Sequence, residues 1–369
     1  MTEVLALPAE LSPAAAPQAE PWQLVSPAGV LNEAAAAQVP GITAELVRGL
    51  YRDMALGRRL DQEGYALQRQ GELGLWLMSL GQEAAQAGSI RAVRDNDHVF
   101  PSYREHVAAL ARGITPRELL TQWRGATHGG WDPARYRFQI YCLVLATQAL
   151  HATGYAMGVR ADRSDEIVLA YLGDGASSQG DANEALNWSC VVGAPIVFFC
   201  QNNQWAISTP ASRQTRTPLH RRAAGFGLQA GYVDGNDVLA VYAMTRHLAQ
   251  AVRAGGPPAF IEALTYRMSG HSTSDDPRRY RDQAELEFWE RHDPLVRIRL
   301  LLEDRQWADD RYFRELDEEA ADLAAQTRRS CLAIEPGPLS DVFRNTLTEE
   351  TASLRRERDE LERYLESFS

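Results

Sequence analysis

No lysine occurs anywhere in the 369 residues, so all 38 basic residues are arginine. A pyridoxal phosphate Schiff base, a Schiff-base aldolase and a Walker-type phosphate loop each need a lysine amine, and all three are excluded. Cysteine is scarce too. Cys142, Cys190, Cys200 and Cys331 are far apart and no pair has Cys-x-x-Cys spacing, which fits a reducing cytoplasm. Long apolar runs are missing: the longest, Ala194 to Cys200, is far short of the roughly 20 residues of a spanning helix, and the first residues lack the basic start of a signal peptide. No membrane role is expected. Dense basic runs with interleaved aromatics are also absent, and 49 acidic residues outweigh the basic ones for a net charge of −11, so nucleic acid is not an expected partner. Asn187-Trp188-Ser189 matches a glycosylation acceptor but lies inside an expected helix of a chain with no export signal, and is read as chance.

What is present describes an α/β protein. Hydrophobic residues make up 45% of the chain, enough for a core in one large unit or two domains. Residues 1 to 40 are rich in Ala and Pro without periodicity, and read as an extended or loosely attached arm, with the folded part starting near Ile42. Helical apolar spacing runs from Thr43 to Gln70, through Leu46, Leu50, Met54, Leu56 and Leu60, and similar stretches cover Gly81 to Arg94 and Glu105 to Arg112. A further helix over Ala146 to Val159 carries Gly154 and Gly158, small residues that allow tight packing against a neighbour. Strands and helices then alternate: Ile167 to Leu172, a helix over Asp181 to Val192, Ile196 to Cys200, a short strand near Gly231 to Val233, a helix over Asp237 to Ala254 closed by Gly255-Gly256-Pro257, and a strand over Ala259 to Leu264. This order predicts a doubly wound, mostly parallel sheet with helices on both faces. His271 to Arg281 (HSTSDDPRRYR) has no apolar positions spaced for burial and is a polar loop. Beyond Pro336-Gly337-Pro338, Leu347, Leu354, Leu361 and Phe368 recur seven apart with Leu365 beside them, predicting an amphipathic helix that either folds back on its own core or docks on a partner chain. The expected division is an arm over 1–40, an α/β domain over 41–335 and a helical C-terminal extension over 336–369.

The chemistry is concentrated between Ile167 and Ser208. If the two apolar runs there are parallel strands joined by a crossover helix, Asp174 and Asn203 both leave carboxyl ends of neighbouring strands. A hard divalent cation such as Mg²⁺ takes carboxylate and amide oxygens and keeps positions open for phosphate. Gly173 and Gly175 let the backbone approach closely, and the helix starting at Asp181 turns its N-terminal N–H groups toward the same crevice. Taken alone, Gly173-Asp174-Gly175 could be an ordinary turn. Followed by the 26 residues Ala176 to Gln201 and then Asn202-Asn203, it resembles the diphosphate-binding motif of thiamine diphosphate enzymes.

From about Tyr51 to its end the chain resembles the α subunit of the E1 component of 2-oxo acid dehydrogenase complexes, and most closely the branched-chain type. The matching stretches are YRDMALGRR (51–59), GQEA (81–84), PSYREH (101–106), LATQ (145–148), GDGASSQGD (173–181), NNQWAIS (202–208), VDGNDV (233–238) and TYRMSGHSTSDD (265–276). AISTP and HSTSDD favour the branched-chain branch over the pyruvate branch. The resemblance implies the thiamine diphosphate-binding fold with helical extensions at both ends, and Mg²⁺ held by Asp174, Asn203 and the carbonyl of Trp205. It implies a diphosphate held by Tyr103, Arg104 and His271, with Gly173, Gly175, Ala176 and Gln201 around the cofactor and the backbone near Leu145 against its aminopyrimidine. Arg104 suits phosphate as a bidentate donor, while Tyr103 and His271 offer one hydrogen bond each. His271 is also the candidate catalytic residue, as a donor to the developing oxyanion.

The implied reaction is decarboxylation of a 2-oxo acid with transfer of the acyl group to the lipoyl arm of an E2 acyltransferase. An E1 β subunit completes the site in an α₂β₂ assembly, so the chain alone is expected to be inactive. Two departures from the family pattern stand out. Gln201 occupies a position where branched-chain enzymes often carry Arg, which removes one charged phosphate contact, and Cys142, Leu143 and Val144 replace residues that surround a potassium ion in relatives, so no such ion is expected. The competing readings are a pyruvate or acetoin E1 α subunit with the same cofactor residues, and a non-catalytic scaffold of the same fold. A dinucleotide-binding oxidoreductase lacks its Gly-x-Gly-x-x-Gly turn here.

Overall fold

Five parallel strands form the central sheet of the computed structural model, which describes residues 20–344 and 347–368. They are β1 (His98–Phe100), β2 (Val168–Gly173), β3 (Ile196–Asn202), β4 (Gln229–Asp234) and β5 (Ala259–Leu264), in the spatial order β1-β2-β3-β5-β4. The strand sequences are nearly unbroken apolar runs because both faces are covered. Side chains alternate between two cores: Leu169, Tyr171, Val197, Phe199 and Ile261 enter one, while Val168, Ala170, Leu172, Ile196, Phe198 and Phe260 enter the other. The expected doubly wound α/β architecture is what forms.

The principal helices are α1 (Ala44–Arg69), α2 (Glu83–Ala92), α3 (His106–Ala111), α4 (Thr147–Ala161), α5 (Gly180–Val192), α6 (Val238–Arg253), α7 (Pro294–Asp304), α8 (Asp310–Leu332) and α9 (Ala352–Glu366). Thr43 caps α1, its hydroxyl accepting from the Leu46 N–H at 3.2 Å, and Val47, Leu50, Met54 and Leu60 supply the stripe that α1 buries. α5 is the crossover between β2 and β3, and α4 packs beside it. No helix among the described residues is long and apolar enough to cross a membrane.

The start of the folded chain differs from expectation. Trp22, Leu24, Val25 and Leu31 are buried in the main core, well before Ile42. Trp22 bridges Val233 in parallel, donating to the Tyr232 carbonyl and accepting from the Asp234 N–H, each at 3.0 Å. The N–H groups of Leu24 and Val25 both reach Asp237 Oδ2 at 2.6 Å, while its Oδ1 caps the first turn of α6. Arg297 on α7 completes the junction, donating to Asp234 at 2.7 Å and to the Val25 carbonyl at 3.3 Å. Four apolar anchors in an Ala/Pro-rich stretch are too few to produce a period, which is why composition pointed to a loose arm; residues 1–19 of that stretch lie outside the described residues. At the opposite edge, β1 is flanked by the segment around Phe138, with Val99 donating to the Arg137 carbonyl and accepting from Gln139, both at 2.8 Å.

The C-terminal stripe behaves differently again. α9 begins after its cap Thr351 and ends at Glu366, so Leu347 and Phe368 fall outside it, and none of its residues is buried. Its main packing is against the short helix Ser340–Arg344.

Candidate active site

β2 and β3 run in register from Val168 opposite Ile196 to Gly173 opposite Gln201, so the chains leave the sheet side by side and deliver Asp174 and Asn203 to the same crevice. Both residues are buried, and both line a cavity of about 360 Å³ with Gln82, Ser102, Tyr103, Arg104, Gly173, Ala176, Gln201, Trp205 and His271. Open carboxyl ends of parallel strands are where α/β sheets place ligands.

Asp174 initiates the short 3-10 turn Gly175–Ser178, whose Ser177 hydroxyl and N–H both return to the Asp174 carbonyl. Its carboxyl accepts from the Gln214 amide at 3.1 Å. Burial pushes its pKa up to about 6, against the opposing pull of Gln214, of backbone N–H groups including that of Asn203, and of Arg267. A carboxylate desolvated this far without an ion-pair partner is a group that a cation would relieve. Asn203 presents a fixed amide: Oδ1 accepts from the Trp205 N–H at 3.2 Å, and Nδ2 donates to Gln82 Oε1 at 3.2 Å. The turn that follows is strained, with Gln204 at φ 71° and Ile207 at φ 54°. It is held there by the Gln204 amide on the Thr265 carbonyl and by Arg267, which donates to the carbonyls of Trp205 at 3.0 Å and Ile207 at 2.8 Å. A carbonyl oxygen has two lone pairs, so that of Trp205 keeps one for a metal. Behind the turn, buried Glu262 on β5 accepts from Asn202 at 2.7 Å and faces His220 Nδ1 at 2.6 Å. Gly175 is required by contact, since a Cβ there would stand 2.8 Å from that of Ala206, whereas a Cβ at Gly173 would meet no protein atom within 4 Å.

The opposite wall is cationic. Arg104 is buried; its Nη1 donates to the Met78 carbonyl at 2.6 Å and its Nη2 to the His271 carbonyl at 3.0 Å, with the Tyr103 ring 5.5 Å away. Among the described residues, neither Arg104 nor Arg267 has a carboxylate within ion-pair distance. Both guanidinium groups also face His271 Nδ1, at 3.4 and 3.3 Å. Because a guanidinium only donates, Nδ1 must be an acceptor and the ring proton sits on Nε2. Burial and the two arginines push the His271 pKa down to about 3, so this tautomer holds throughout the neutral range, and burial together with Arg104 lowers Arg267 to about 10. Arg104 and His271 thus bring N–H donors to the cavity wall, with Arg267 packed behind them.

Two expected residues are placed less directly. The Gln201 amide is engaged within the wall, Nε2 donating to buried Glu105 at 2.6 Å and Oε1 accepting from Gln86 at 3.2 Å. Burial lifts the Glu105 carboxyl to about 7, so a neutral residue at 201 leaves it without a counter-ion. Leu145 is 38% exposed at the cavity mouth beside exposed Leu143 and Val144, and Ala146 adopts φ 69° as the chain turns into α4.

The donor set fits a magnesium diphosphate. No group of three or more His, Cys, Asp or Glu able to hold a metal occurs among the described residues. A cation here would therefore rest on one carboxylate, one amide oxygen and one carbonyl, leaving positions for phosphate oxygens. Sequence reasoning did not single out Gln82, Gln214, Arg267 or Glu262. The first and third lay inside quoted motifs, GQEA and TYR, with no spacing signal of their own.

The family described as dehydrogenase E1 component matches residues 51–330. The 3-methyl-2-oxobutanoate dehydrogenase subunit alpha of Mycobacterium tuberculosis is 41% identical over 343 residues, covering 93% of this chain and 93% of that protein. The mitochondrial 2-oxoisovalerate dehydrogenase subunit alpha of Bos taurus is 34% identical over 344 residues, 89% of this chain and 75% of that protein. The pyruvate dehydrogenase E1 component subunit alpha of Staphylococcus aureus is 36% identical over 295 residues, 79% of this chain and 80% of that protein.

Proposed function

Since the chain belongs to the dehydrogenase E1 component family, as an alpha subunit of a thiamine diphosphate-dependent 2-oxo acid dehydrogenase, we propose that it acts on branched-chain 2-oxo acids, with Mg²⁺ and a β subunit. The observation that carries the site assignment is the pairing of Asp174 and Asn203 at adjacent strand ends with Arg104, a guanidinium on the same cavity wall that lacks a carboxylate partner. Thiamine diphosphate, when bound, supplies the electron sink for decarboxylation. Asp174, Asn203 Oδ1 and the Trp205 carbonyl would hold the metal, and Tyr103, Arg104 and His271 the diphosphate. His271 has a single donor, Nε2–H, so a bond to oxygen that gains negative charge during the reaction would use the same hydrogen in place of its bond to the diphosphate.

A partner chain is supported by the surface beside the cavity. Leu143, Val144, Met157, Trp188 and Val191 are 40–72% exposed, and Gly154 and Gly158 on α4 have no atom within 4 Å of where a Cβ would stand. The tight packing expected at those glycines therefore awaits another molecule. A β subunit in an α₂β₂ assembly, and a lipoylated E2 as acyl acceptor, complete the reading.

The branched-chain preference rests on the extent of similarity to the mycobacterial protein and on AISTP and HSTSDD. A pyruvate preference is the second reading, because the staphylococcal relative is as similar as the bovine one. Reconstitution with the β subunit and turnover of 3-methyl-2-oxobutanoate against pyruvate decides between them: faster turnover of the branched acid is expected, and preference for pyruvate overturns the substrate assignment. Calorimetric titration of thiamine diphosphate with Mg²⁺ into the same assembly should give saturable binding; no binding would favour a scaffold.

A further inference from the structure

Gln82 stands apart among the residues lining the cavity. It is 1% exposed, immediately precedes α2, and shares the cavity wall with Asp174, Asn203 and Arg104. Its two amide ends are unequal: Oε1 accepts from Asn203 Nδ2 at 3.2 Å, whereas Nε2 is buried without any hydrogen-bond partner in the protein. The orientation is not arbitrary. Asn203 Oδ1 is fixed by the Trp205 N–H, so the end of Asn203 facing Gln82 is its NH₂, and only Gln82 Oε1 can accept from it. A buried amide donor left unpaired carries a desolvation penalty of about 1–3 kcal/mol unless a ligand receives its hydrogen.

We infer that Gln82 is a positioning residue for the metal-diphosphate site and serves it from both ends. Oε1 turns Asn203 so that Oδ1 faces the cation, and Nε2 donates to an oxygen of the diphosphate. The second role also answers the neutral Gln201. With no cation at 201 and the Gln201 amide spent on Glu105 and Gln86, the uncharged donor of Gln82 meets part of the anion's demand. This rests on the function proposed above, and the experiment separates the two failures.

The test uses the αβ assembly and two variants, Gln82→Glu and Gln82→Met, with circular dichroism and sedimentation to establish that each folds and assembles. Calorimetry then yields the thiamine diphosphate Kd at saturating Mg²⁺, and the Mg²⁺ Kd at saturating cofactor. Gln82→Met removes both hydrogen bonds and should raise both constants at least about tenfold, the effect of one hydrogen bond to a charged group. Gln82→Glu keeps the oxygen that accepts from Asn203 but replaces the donor by a carboxylate oxygen. It should leave the Mg²⁺ Kd within about threefold while raising the thiamine diphosphate Kd about tenfold or more. That split is the signature, because general loosening of the wall would move both constants together. Equal rises in the Glu variant, or constants within twofold of the unsubstituted assembly in the Met variant, overturn the inference. Failure of the unsubstituted assembly to bind cofactor would instead overturn the function proposed above.

Discussion

Three arginines are almost wholly buried, at 5% exposure for Arg104, 0% for Arg267 and 1% for Arg297, yet their surroundings are opposite. Arg297 sits in the junction between the N-terminal segment, β4 and α7, where Asp234 lies 2.7 Å from it and the Val25 carbonyl takes a further hydrogen bond. Arg104 lines the crevice and finds two carbonyls and the acceptor nitrogen of His271, while Arg267 is packed behind it against carbonyls, the same nitrogen and the Tyr280 hydroxyl, which in turn donates to Asp275; neither has a carboxylate within ion-pair distance. Burying charge is costly without a counter-ion. Arg297 meets its counter-ion within the architecture, and Arg267 reaches the charge of Asp275 through the Tyr280 hydroxyl; Arg104, which lines the cavity without a carboxylate, is the one whose charge the proposed diphosphate would answer.

Four substitutions would break or sharpen that contrast. The largest effect is expected from Arg297→Met, which strands Asp234 in the interior and should cost about 3–5 kcal/mol of stability in urea or thermal unfolding. The thiamine diphosphate Kd of the assembled protein should stay unchanged, and a large rise in Kd would erase the distinction. Arg104→Met should act chiefly on binding: stability falls by only about 1–3 kcal/mol, as the Met78 and His271 carbonyls lose their donor, while cofactor binding loses about 1.5–3 kcal/mol, seen by calorimetry as roughly a tenfold to hundredfold weaker Kd. The effect that is smallest near neutral pH concerns two histidines. His106 is stacked on Trp76 and fully buried, and burial holds its pKa at about 3; His271 is held at about 3 by burial and by the two arginines. Both values lie below the ordinary 6.5, so the stability they confer is complete above pH 6.5 and is lost as pH falls toward 3. His106→Gln should flatten this acid limb by up to about 1.4 kcal/mol per pH unit, with or without cofactor. His271→Gln should flatten it only in the free protein, because a bound anion beside His271 raises its pKa and removes the difference.

Much of this was legible in the sequence where period and chemistry coincide. The strand runs beginning at Ile167 and Ile196, the crossover helix and the polar segment from His271 stand as anticipated, with helix and strand ends moved by at most two residues. Asp174 and Asn203 were legible because each follows the carboxyl end of an apolar run, and neighbouring parallel strands joined by a crossover helix end side by side. What escaped notice had no periodic signal. Trp22, Leu24 and Val25 are anchors in a segment that is neither helix nor strand, and their importance comes from Asp237, more than 200 residues away. Gln82 and Arg267 act through single contacts that only the folded chain creates. The leucine repeat near the end overstated its helix, since spacing of seven continued through Leu347 and Phe368 while the backbone did not.

Both borders of the sheet are already occupied, one by the strand-like pairing of Trp22 and the other by the chain around Phe138. An exposed border offers a row of unpaired N–H and C=O groups to any passing extended peptide, and is a route to aggregation. With both rows blocked at these points, this subunit is guarded against growing by continuous backbone pairing and is left to associate through complementary side-chain surfaces, which have the selectivity that a multienzyme assembly requires. The segment around Trp22 thus acts as a selvedge, finishing the woven edge so that the fabric does not run into its neighbour.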